Sequence, residues 1–168
     1  LNTNTVTTIH LLDQILKEKI KPRIILASSS AVYASSKSEL IKEGFKLNPV
    51  SPYGISKLLM EQVASLYTNQ HDMDIVLVRP FFLIGPRKVN DVCSTFARDI
   101  VKIEKGIQPN LKVGNLDIVR DFLDIRDGVT AITEVINSAK TGEKYNISSG
   151  EGLSLRYVLD VFKGHPDC

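Results

Sequence analysis

The sequence predicts an α/β protein built around a mainly parallel β-sheet. Two short apolar runs, RIILA at 23–27 and DIVLV at 74–78, are typical of strands that are buried on both faces. Segments with apolar residues at helical spacing alternate with these runs, and such alternation favours parallel pairing of the strands. The chain has 168 residues, of which 43% are hydrophobic and 24% charged, so it is long enough and apolar enough to form a core.

The predicted elements follow one another along the chain in a simple order. They are a helix over 5–20, a strand over 23–28, a polar surface loop over 34–50, a helix that begins at Ser51, a strand over 74–79, a helix over 91–105, short strands around 111–113 and 119–122, a helix over about 125–139, a strand near 144–147 and a final helix from about Ser154 to Phe162. Only the strands at 23–28 and 74–79 have the continuous apolar character expected at the centre of a sheet.

Capping signals mark where several of the helices begin. Ser51 can cap the second helix, and Pro52 suits its first turn, where the missing N–H is not needed. Asp91 can cap the third helix in the same way. Asp124 can cap the fourth, and we expect both Asp124 and Asp127 to be structural.

Charge and cysteine usage argue against several classes of function. The 21 basic and 19 acidic residues give a net charge of +2 and are scattered, so the chain lacks the basic footprint of a protein that binds nucleic acid or an anionic membrane. No apolar run approaches the ~20 residues of a membrane span. Cys93 and Cys168 lie far apart without metal-ligand spacing, which argues against a zinc site or a disulfide framework. We therefore expect a reduced, cytoplasmic protein without a metal.

The segment SPYGISK at 51–57 carries the first chemical signal. Tyr53 and Lys57 are four residues apart and therefore share one helix face. A nearby ammonium favours the phenolate of a tyrosine, whose ordinary pKa is ~10, and so suits it to act as an acid or base at a carbinol carbon. The serines at 28–30 follow a parallel strand and can converge on the same sheet edge, where a hydroxyl can bond a substrate oxygen. Taken alone, the pair is better explained as two ordinary surface residues.

Five motifs occur in order around this pair. They are SSSAVY after a strand, SPYGISK at the start of a helix, VRPFFLIGPR at the end of the next strand, VRDFLDIRDGVTAI and GEKYNISSG. With these motifs the chain resembles the extended short-chain dehydrogenases/reductases, in the NAD-dependent epimerase/dehydratase family that acts on nucleotide sugars. The resemblance implies a partial Rossmann-type doubly wound parallel sheet with part of a small C-terminal substrate lobe. Residues 1–90 would be the C-terminal portion of the dinucleotide-binding core, carrying the catalytic residues, and residues 91–168 would be mixed core and substrate-binding lobe.

The resemblance implies a catalytic role for three residues. Ser29, four residues before Tyr33, resembles the catalytic serine or threonine of the family. Tyr53 resembles the catalytic acid/base, and Lys57 resembles the residue that holds the nicotinamide ribose and lowers the tyrosine pKa. Ser30 could share the role of Ser29 or contact the substrate, and either serine could simply end the strand.

Contacts with the cofactor and the substrate are implied at further positions. The cofactor contacts would be made by Ala27, Ser28, Tyr53, Lys57 and Pro80. Arg120 resembles the arginine that grips the sugar-nucleotide diphosphate, since a guanidinium fork suits that anion. The alternative for Arg120 is a surface ion pair with Asp117 or Asp121. Arg87 and Asn115 are weaker candidates for the substrate pocket, and the alternative for both is an ordinary loop residue.

Three departures from the family pattern bear on the reaction. Members that dehydrate the sugar usually carry a carboxylate two positions before the tyrosine of the serine motif, where this chain has Ala31, so reduction or epimerisation is favoured over 4,6-dehydration. Phe82 stands where many relatives have asparagine, which removes a polar substrate contact. None of the ten glycines forms the Gly-x-x-Gly-x-x-Gly motif that cradles the cofactor pyrophosphate, so the chain resembles a fragment without the segment that selects NAD or NADP.

The finer resemblance is to family members that act on GDP-linked sugars. FARDIVKIEKG and LKVGNLDIVRDFLDIRD resemble in particular the reductases of GDP-4-keto-6-deoxy-mannose. The implied activity of the intact protein is hydride transfer between NAD or NADP and C4 of a nucleotide-linked hexose, in a homodimer without a nucleic-acid or membrane partner. Two alternatives stay open at this point: a nucleotide-sugar 4-epimerase that uses the same residues, and a non-catalytic product that needs a partner chain.

Overall fold

The structure is a computed structural model that describes residues 2–34 and 40–164. It divides into two compact units. The first unit comprises Leu1–Phe81 and Asp127–Ile147, and the second comprises Phe82–Arg126 and Ser148–Cys168. The chain therefore leaves the first unit after two strands and returns to it with most of one helix and a further strand.

Helices and strands alternate through the described residues, except at two points where one strand directly follows another. In chain order the elements are α1 (Thr7–Lys17), β1 (Ile24–Ala27), α2 (Pro52–His71), β2 (Ile75–Pro80), β3 (Phe82–Ile84), α3 (Val92–Glu104), β4 (Val119–Asp124), α4 (Ile125–Ser138), β5 (Lys144–Ile147), β6 (Gly152–Ser154) and α5 (Leu155–Gly164). A π-helical segment (Asn2–Val6) precedes α1, and a 3₁₀ turn (Ser30–Val32) follows β1. The predicted α/β class is confirmed.

The first unit contains a parallel sheet with the strand order β1-β2-β5. The central strand β2 is buried from Ile75 to Val78, which is why its sequence is continuously apolar rather than alternating. Ala27 at the end of β1 lies beside Val78 in the register of the pair. The carboxyl ends of both strands therefore reach the same edge of the sheet, and the predicted parallel pairing is confirmed.

Helices α1 and α2 pack on this sheet through one apolar core. The buried members of the core are Leu12, Ile24, Leu26, Met60, Ala64, Met73, Ile75 and Leu77. Met60 and Ala64 lie four residues apart on α2 and so present a single face to the strands. Burying a side chain the size of leucine, isoleucine or methionine contributes roughly 1.5–3 kcal/mol, so this core fixes α2 against β1 and β2.

The second unit contains a smaller mixed sheet with the order β3-β4-β6. β3 runs parallel to β4, and β6 runs antiparallel to it. Phe82 and Phe122 are neighbours in the β3–β4 register, and their rings lie edge to face with centres 5.0 Å apart. Phe82 is thus a packing residue of this sheet. Helices α3 and α5 contact each other, and Phe96 of α3 is buried.

The structure corrects the predicted elements in three places. No strand forms at 111–113, where Val113 is 43% exposed and the described residues provide no ladder partner. Strands β3 and β6 were not predicted, because each has three residues and depends on β4 for its pairing. The first helix is shorter than the predicted 5–20, since it begins after the π-helical segment and ends at Lys17. The helices predicted at 91–105 and 125–139 and the strand at 144–147 are confirmed.

Asp91 caps α3 through a reciprocal pair of hydrogen bonds. Its carboxylate accepts from the backbone N–H of Ser94 at 2.7 Å, and the Ser94 hydroxyl accepts from the backbone N–H of Asp91 at 3.1 Å. The ammonium of Lys88 lies 3.2 Å from the other carboxylate oxygen. Burial raises the pKa of the Asp91 carboxyl, but the hydrogen bonds from Ser94 and Lys88 outweigh burial and hold the pKa below its ordinary value.

Asp91→Ala is expected to lower the free energy of unfolding by about 1 kcal/mol, the usual worth of an N-cap. Because the folded state favours the ionised carboxyl, this stabilisation is present above the ordinary pKa of 3.8 and is lost as the pH falls through the lower folded pKa. Urea unfolding at neutral and at acidic pH measures the effect, and the difference between variant and parent should shrink in acid. The matched control is Asp160→Ala, which removes an exposed ion pair on α5 and should change little. Equal losses in the two variants would contradict the capping role.

Candidate active site

The start of α2 lies against the carboxyl end of β1. The Lys57 ammonium donates a hydrogen bond of 2.7 Å to the carbonyl oxygen of Ala27, the last residue of β1. One turn earlier on α2, Gly54 lies against the 3₁₀ turn Ser30–Val32. A Cβ atom added at Gly54 would lie 2.3 Å from the carbonyl oxygen of Ala31. These two contacts bracket residues 28–30. The serine segment is therefore held beside the first two turns of α2, as the crossover geometry predicts.

Polar contacts hold the backbone around Tyr53. Ser51 caps α2 by accepting from the backbone N–H of Gly54 at 3.0 Å. The Ser56 hydroxyl donates to the carbonyl oxygen of Tyr53 at 2.7 Å and accepts from the Asn4 amide at 2.9 Å. The Thr5 hydroxyl donates to the Ser56 carbonyl oxygen at 3.1 Å. The π-helical segment is thus bonded to the same turn of α2 that carries Tyr53.

Tyr53 and Lys57 share one face of α2, as their spacing predicts. The Tyr53 side chain is half exposed, and the Lys57 ammonium lies 5.8 Å from the centre of its ring. Partial burial lowers the pKa of Lys57 below the ordinary lysine value. An ammonium has three donors, of which the bond to Ala27 uses one, so two can bond the hydroxyls of a bound ligand.

The three serines after β1 have different environments. Ser28 is buried, and its hydroxyl donates to the Glu61 carboxylate at 2.5 Å, so a cofactor contact made by Ser28 has to use its backbone carbonyl. Ser29 is partly buried, and its hydroxyl accepts from the backbone N–H of Ala31 at 3.2 Å, which leaves the hydroxyl hydrogen free to donate to a substrate. Ser30 opens the 3₁₀ turn and is also partly accessible.

Pro80 ends β2 at the edge of the sheet where these groups lie. It is paired with Ile147 of β5 in the register of the sheet, and it follows Val78, which pairs with Ala27. Pro80 is partly exposed. The segment after β2 therefore reaches the edge at which Ser29 and Lys57 lie.

Of the predicted substrate residues, Ser30 lies in the first unit with Ser29, Tyr53 and Lys57, whereas Arg87, Asn115 and Arg120 lie in the second unit. Arg120 is exposed on β4, and its guanidinium donates to the Val119 carbonyl oxygen at 3.0 Å. The two carboxylates that offered an alternative partner are bonded elsewhere: Asp117 pairs with Arg156 at 3.0 Å, and Asp121 accepts from the backbone of Ser149 and Gly150. Arg120 therefore forms an ion pair with neither of these two carboxylates, and its part in substrate binding stays a prediction.

Arg87 and Asn115 lie in loops of the second unit, and Asp124 is the last residue of β4. Arg87 is exposed, with a backbone φ of 68° in the loop after β3. The Asn115 side-chain oxygen accepts from the backbone N–H of Asp117 at 2.9 Å, which supports a turn. Asp124 accepts from the backbone N–H of Arg126 at 2.8 Å, and the Arg126 side chain lowers the Asp124 pKa to about 2. Asp124 thus has the structural role that the sequence predicts.

Two buried charged residues beside the serine segment were missed by the sequence reasoning. Glu61 on α2 and Arg79 on β2 form an ion pair at 2.6 Å, and both side chains are almost fully buried. A signal was available, since an arginine inside the apolar run 74–79 requires a buried partner. Its partner could not be identified from spacing alone.

Two features are absent from residues 2–34 and 40–164, which the structure describes. No group of three or more histidine, cysteine, aspartate and glutamate side chains there could hold a metal ion. In the same ranges, no helix is both long and apolar enough to cross a lipid bilayer.

The parallel sheet β1-β2-β5 and the helices packed on it are those of an α/β protein of the Rossmann type. The family model of GDP-mannose 4,6 dehydratase matches residues 1–165, and the chain belongs to that family.

Relatives and solved structures are similar over nearly the whole chain. GDP-6-deoxy-D-mannose reductase of Pseudomonas aeruginosa is 30% identical over 165 residues, which cover 96% of this chain and 54% of the relative. GDP-6-deoxy-D-talose 4-dehydrogenase of Aggregatibacter actinomycetemcomitans is 29% identical, with coverage of 94% and 52%. The structure of RMD from Pseudomonas aeruginosa complexed with NADPH superposes with a TM-score of 0.89 at 30% identity, with coverage of 94% and 56%. UDP-glucose 4-epimerases are also among the relatives. The chain thus spans about half the length of the curated relatives it matches.

Proposed function

We propose that this chain is the catalytic and substrate-binding portion of an NAD(P)H-dependent nucleotide-sugar reductase. Its proposed substrate is a GDP-linked 4-keto-6-deoxyhexose. The observation that supports the proposal is the hydrogen bond from Lys57 to Ala27 at the end of β1, together with the close approach of Gly54 to Ala31. These two contacts lie on either side of Ser29. The similarity to GDP-6-deoxy-D-mannose reductase, and to RMD in its complex with NADPH, supports the choice of substrate and cofactor.

The proposed mechanism assigns one task to each residue of the trio. A bound nicotinamide supplies the hydride that reduces the C4 ketone. Tyr53 gives its phenolic proton to the oxygen that becomes the C4 hydroxyl, and Ser29 donates a hydrogen bond that orients that oxygen. Lys57 holds the cofactor ribose with the two donors that Ala27 leaves free, and its charge supports the phenolate left on Tyr53. Ala27, Ser28 and Pro80 would line the cofactor with backbone groups.

The enzymatic alternative is a nucleotide-sugar 4-epimerase with the same trio. UDP-glucose 4-epimerases among the relatives favour it. The two reactions differ in their net consumption of NADPH. A reductase consumes one NADPH for each sugar reduced, whereas an epimerase returns the hydride to the sugar and leaves the amount of NADPH unchanged. Protein purified as its own cell makes it should oxidise NADPH in step with the loss of GDP-4-keto-6-deoxymannose. Turnover of nucleotide sugars without net NADPH oxidation would favour the epimerase.

The third possibility is a non-catalytic product that works through a partner chain. In that case the 168-residue chain should not bind NADPH even at millimolar concentration. Tight binding of NADPH by the chain alone, measured by calorimetry, would rule this possibility out.

Arg120 is proposed to bind the substrate diphosphate, with Arg87 and Asn115 as further contacts. Arg120→Ala should raise KM for the GDP-sugar roughly 10- to 100-fold, since a hydrogen bond to a charged group contributes about 1.5–3 kcal/mol. The value of kcat should change much less, because this contact lies away from the reacting carbon. Arg98→Ala is the matched control, as Arg98 is an exposed arginine of the same unit paired with Asp99. An unchanged KM in Arg120→Ala would remove Arg120 from the diphosphate site.

We also infer a homodimer in the cytoplasm. The resemblance to the family implies dimerisation through α2 and α3, and α2 carries the exposed apolar residues Ile55, Leu59 and Leu66, which support it. The free thiol of Cys93 is consistent with a reducing compartment. Sedimentation equilibrium of the purified protein should give twice the mass of one chain, and a single-chain mass at micromolar concentration would contradict the dimer.

A further inference from the structure

The first unit buries an ion pair beneath the serine segment. The guanidinium of Arg79 bonds both carboxylate oxygens of Glu61, with Nε–Oε1 at 2.8 Å and Nη2–Oε2 at 2.6 Å. The two side chains are 1% and 2% exposed. Burial opposes the charge on Arg79, but its hydrogen bonds to Glu61 and Tyr33 outweigh burial and hold its pKa above the ordinary value. Arg79 therefore keeps its charge in spite of its burial.

One end of the serine segment is bonded to the Glu61 side of this pair. The Ser28 hydroxyl donates to Glu61 Oε1 at 2.5 Å. Glu61 lies one turn after Lys57 on α2, and Lys57 bonds Ala27. Two successive turns of the helix thus reach two successive residues at the end of β1, the first through Lys57 and the second through Glu61.

The other end of the segment is bonded to the Arg79 side. Arg79 Nη1 donates to the Tyr33 hydroxyl at 2.7 Å, and the guanidinium lies 4.8 Å from the centre of the Tyr33 ring. The same nitrogen donates to the Glu43 carbonyl oxygen at 3.0 Å. The Tyr33 hydroxyl in turn donates to the Asn146 side chain at 2.7 Å. Residues 28 and 33 are both tied to one ion pair, and Ser29 lies between them.

We propose that Glu61 and Arg79 are positioning residues, which hold the loop 28–33 so that Ser29 stays in register with Tyr53 and Lys57. The proposal rests on the reductase function proposed above. A buried ion pair is a poor means of gaining stability, since a well-packed apolar pair of the same volume is usually as stable or more stable. An apolar pair could fill the space, but it could not bond Ser28 on one side and Tyr33 on the other. The role of the ion pair is therefore to position the loop 28–33 rather than to stabilise the fold.

The test replaces the pair without leaving a lone buried charge. In the double variant Glu61→Leu with Arg79→Met, two apolar side chains fill the site, so the protein should fold with a urea midpoint close to that of the parent. The expected kcat falls roughly 10²-fold, the scale of a misplaced catalytic group, with a much smaller change in KM for NADPH. The Lys57 pKa, followed by NMR titration of its side chain, should rise toward the ordinary lysine value as α2 loosens from β1.

Ser28→Ala provides a second and milder test. It removes the hydroxyl that links Glu61 to the loop and leaves the ion pair in place, so it stays informative even if the double variant does not fold. Its matched control is Ser65→Ala, because Ser65 lies on the same helix and donates to the Glu61 carbonyl oxygen instead of the carboxylate. Ser28→Ala should lower kcat and raise the Lys57 pKa, and Ser65→Ala should do neither.

The two readouts separate this inference from the function on which it rests. Normal kcat and an unchanged Lys57 pKa in a folded double variant or in Ser28→Ala would show that the pair only fills the core, and would overturn the inference. If the unchanged protein reduces no GDP-4-keto-sugar, the proposed substrate is wrong. In that case the Lys57 titration still decides whether the pair positions α2 against β1.

Discussion

Tyr53→Phe is expected to reduce turnover of the GDP-4-keto-sugar by about 10²-fold or more, the usual scale for a general acid. The substitution removes one hydroxyl from a side chain that is 51% exposed, so it leaves no buried group without a partner. The phenyl ring keeps its place one turn from Lys57. The loss should therefore appear in kcat, while the urea midpoint and KM for NADPH change little. Single-turnover kinetics with saturating NADPH measure the step directly.

Tyr157→Phe is the matched control for that experiment. Tyr157 is also about half exposed, lies on α5 in the second unit and has no proposed part in proton transfer. Turnover in Tyr157→Phe should be that of the parent. Near-normal turnover in Tyr53→Phe would remove Tyr53 from the mechanism, and an equal loss in both variants would indicate a general effect of the missing hydroxyl.

Gly54→Ala should destabilise the protein, although the same change usually stabilises a helix by about 1 kcal/mol. The added Cβ would lie 2.3 Å from the carbonyl oxygen of Ala31 and 2.9 Å from Cβ of Pro49. A backbone carbonyl and a proline ring cannot rotate out of the way, so α2 and the serine turn must separate. Overpacking of this kind costs typically 1–3 kcal/mol, occasionally more. Because the separation moves Ser29 relative to Tyr53, turnover should fall as well.

Replacing a helical glycine by alanine usually raises stability, so a loss of stability in Gly54→Ala distinguishes the clash with Ala31 from the ordinary helix effect. Gly44→Ala is the control in the same unit, since nothing lies within 4 Å of the added Cβ. Urea unfolding of both variants measures the free energy of unfolding. A change in kcat shows whether Ser29 has moved relative to Tyr53. If Gly54→Ala leaves the free energy of unfolding unchanged or raises it, the close contact between Gly54 of α2 and Ala31 of the serine turn is contradicted.

Local signals explain what the sequence could predict. Ser51 and Pro52 mark the start of α2 within two residues, and the structure shows Ser51 capping the helix there. The continuous apolar run of β2 predicts a central parallel strand, and β2 lies between β1 and β5. Convergence of the serine segment with α2 follows from the handedness of the crossover, a rule that needs no knowledge of side-chain contacts.

Contacts between distant parts of the chain explain what the sequence could not predict. Glu61 and Arg79 are 18 residues apart on different elements, and their spacing follows no helix or strand period. The strand β6 is three residues long and pairs with β4, which lies well before it in the chain. The run LKV at 111–113 looks like a strand in sequence, yet local apolar character produces no strand where a pairing partner is lacking.

The most direct test of the proposed function follows the hydride itself. NADPH carrying deuterium at the transferable position of its nicotinamide should be supplied with GDP-4-keto-6-deoxymannose to the protein as its cell makes it. A reductase should transfer one deuterium to C4 of the sugar for each NADPH oxidised, which mass spectrometry counts and NMR locates. A product without deuterium at C4, or epimerised sugar formed while NADPH stays reduced, would contradict a reductase.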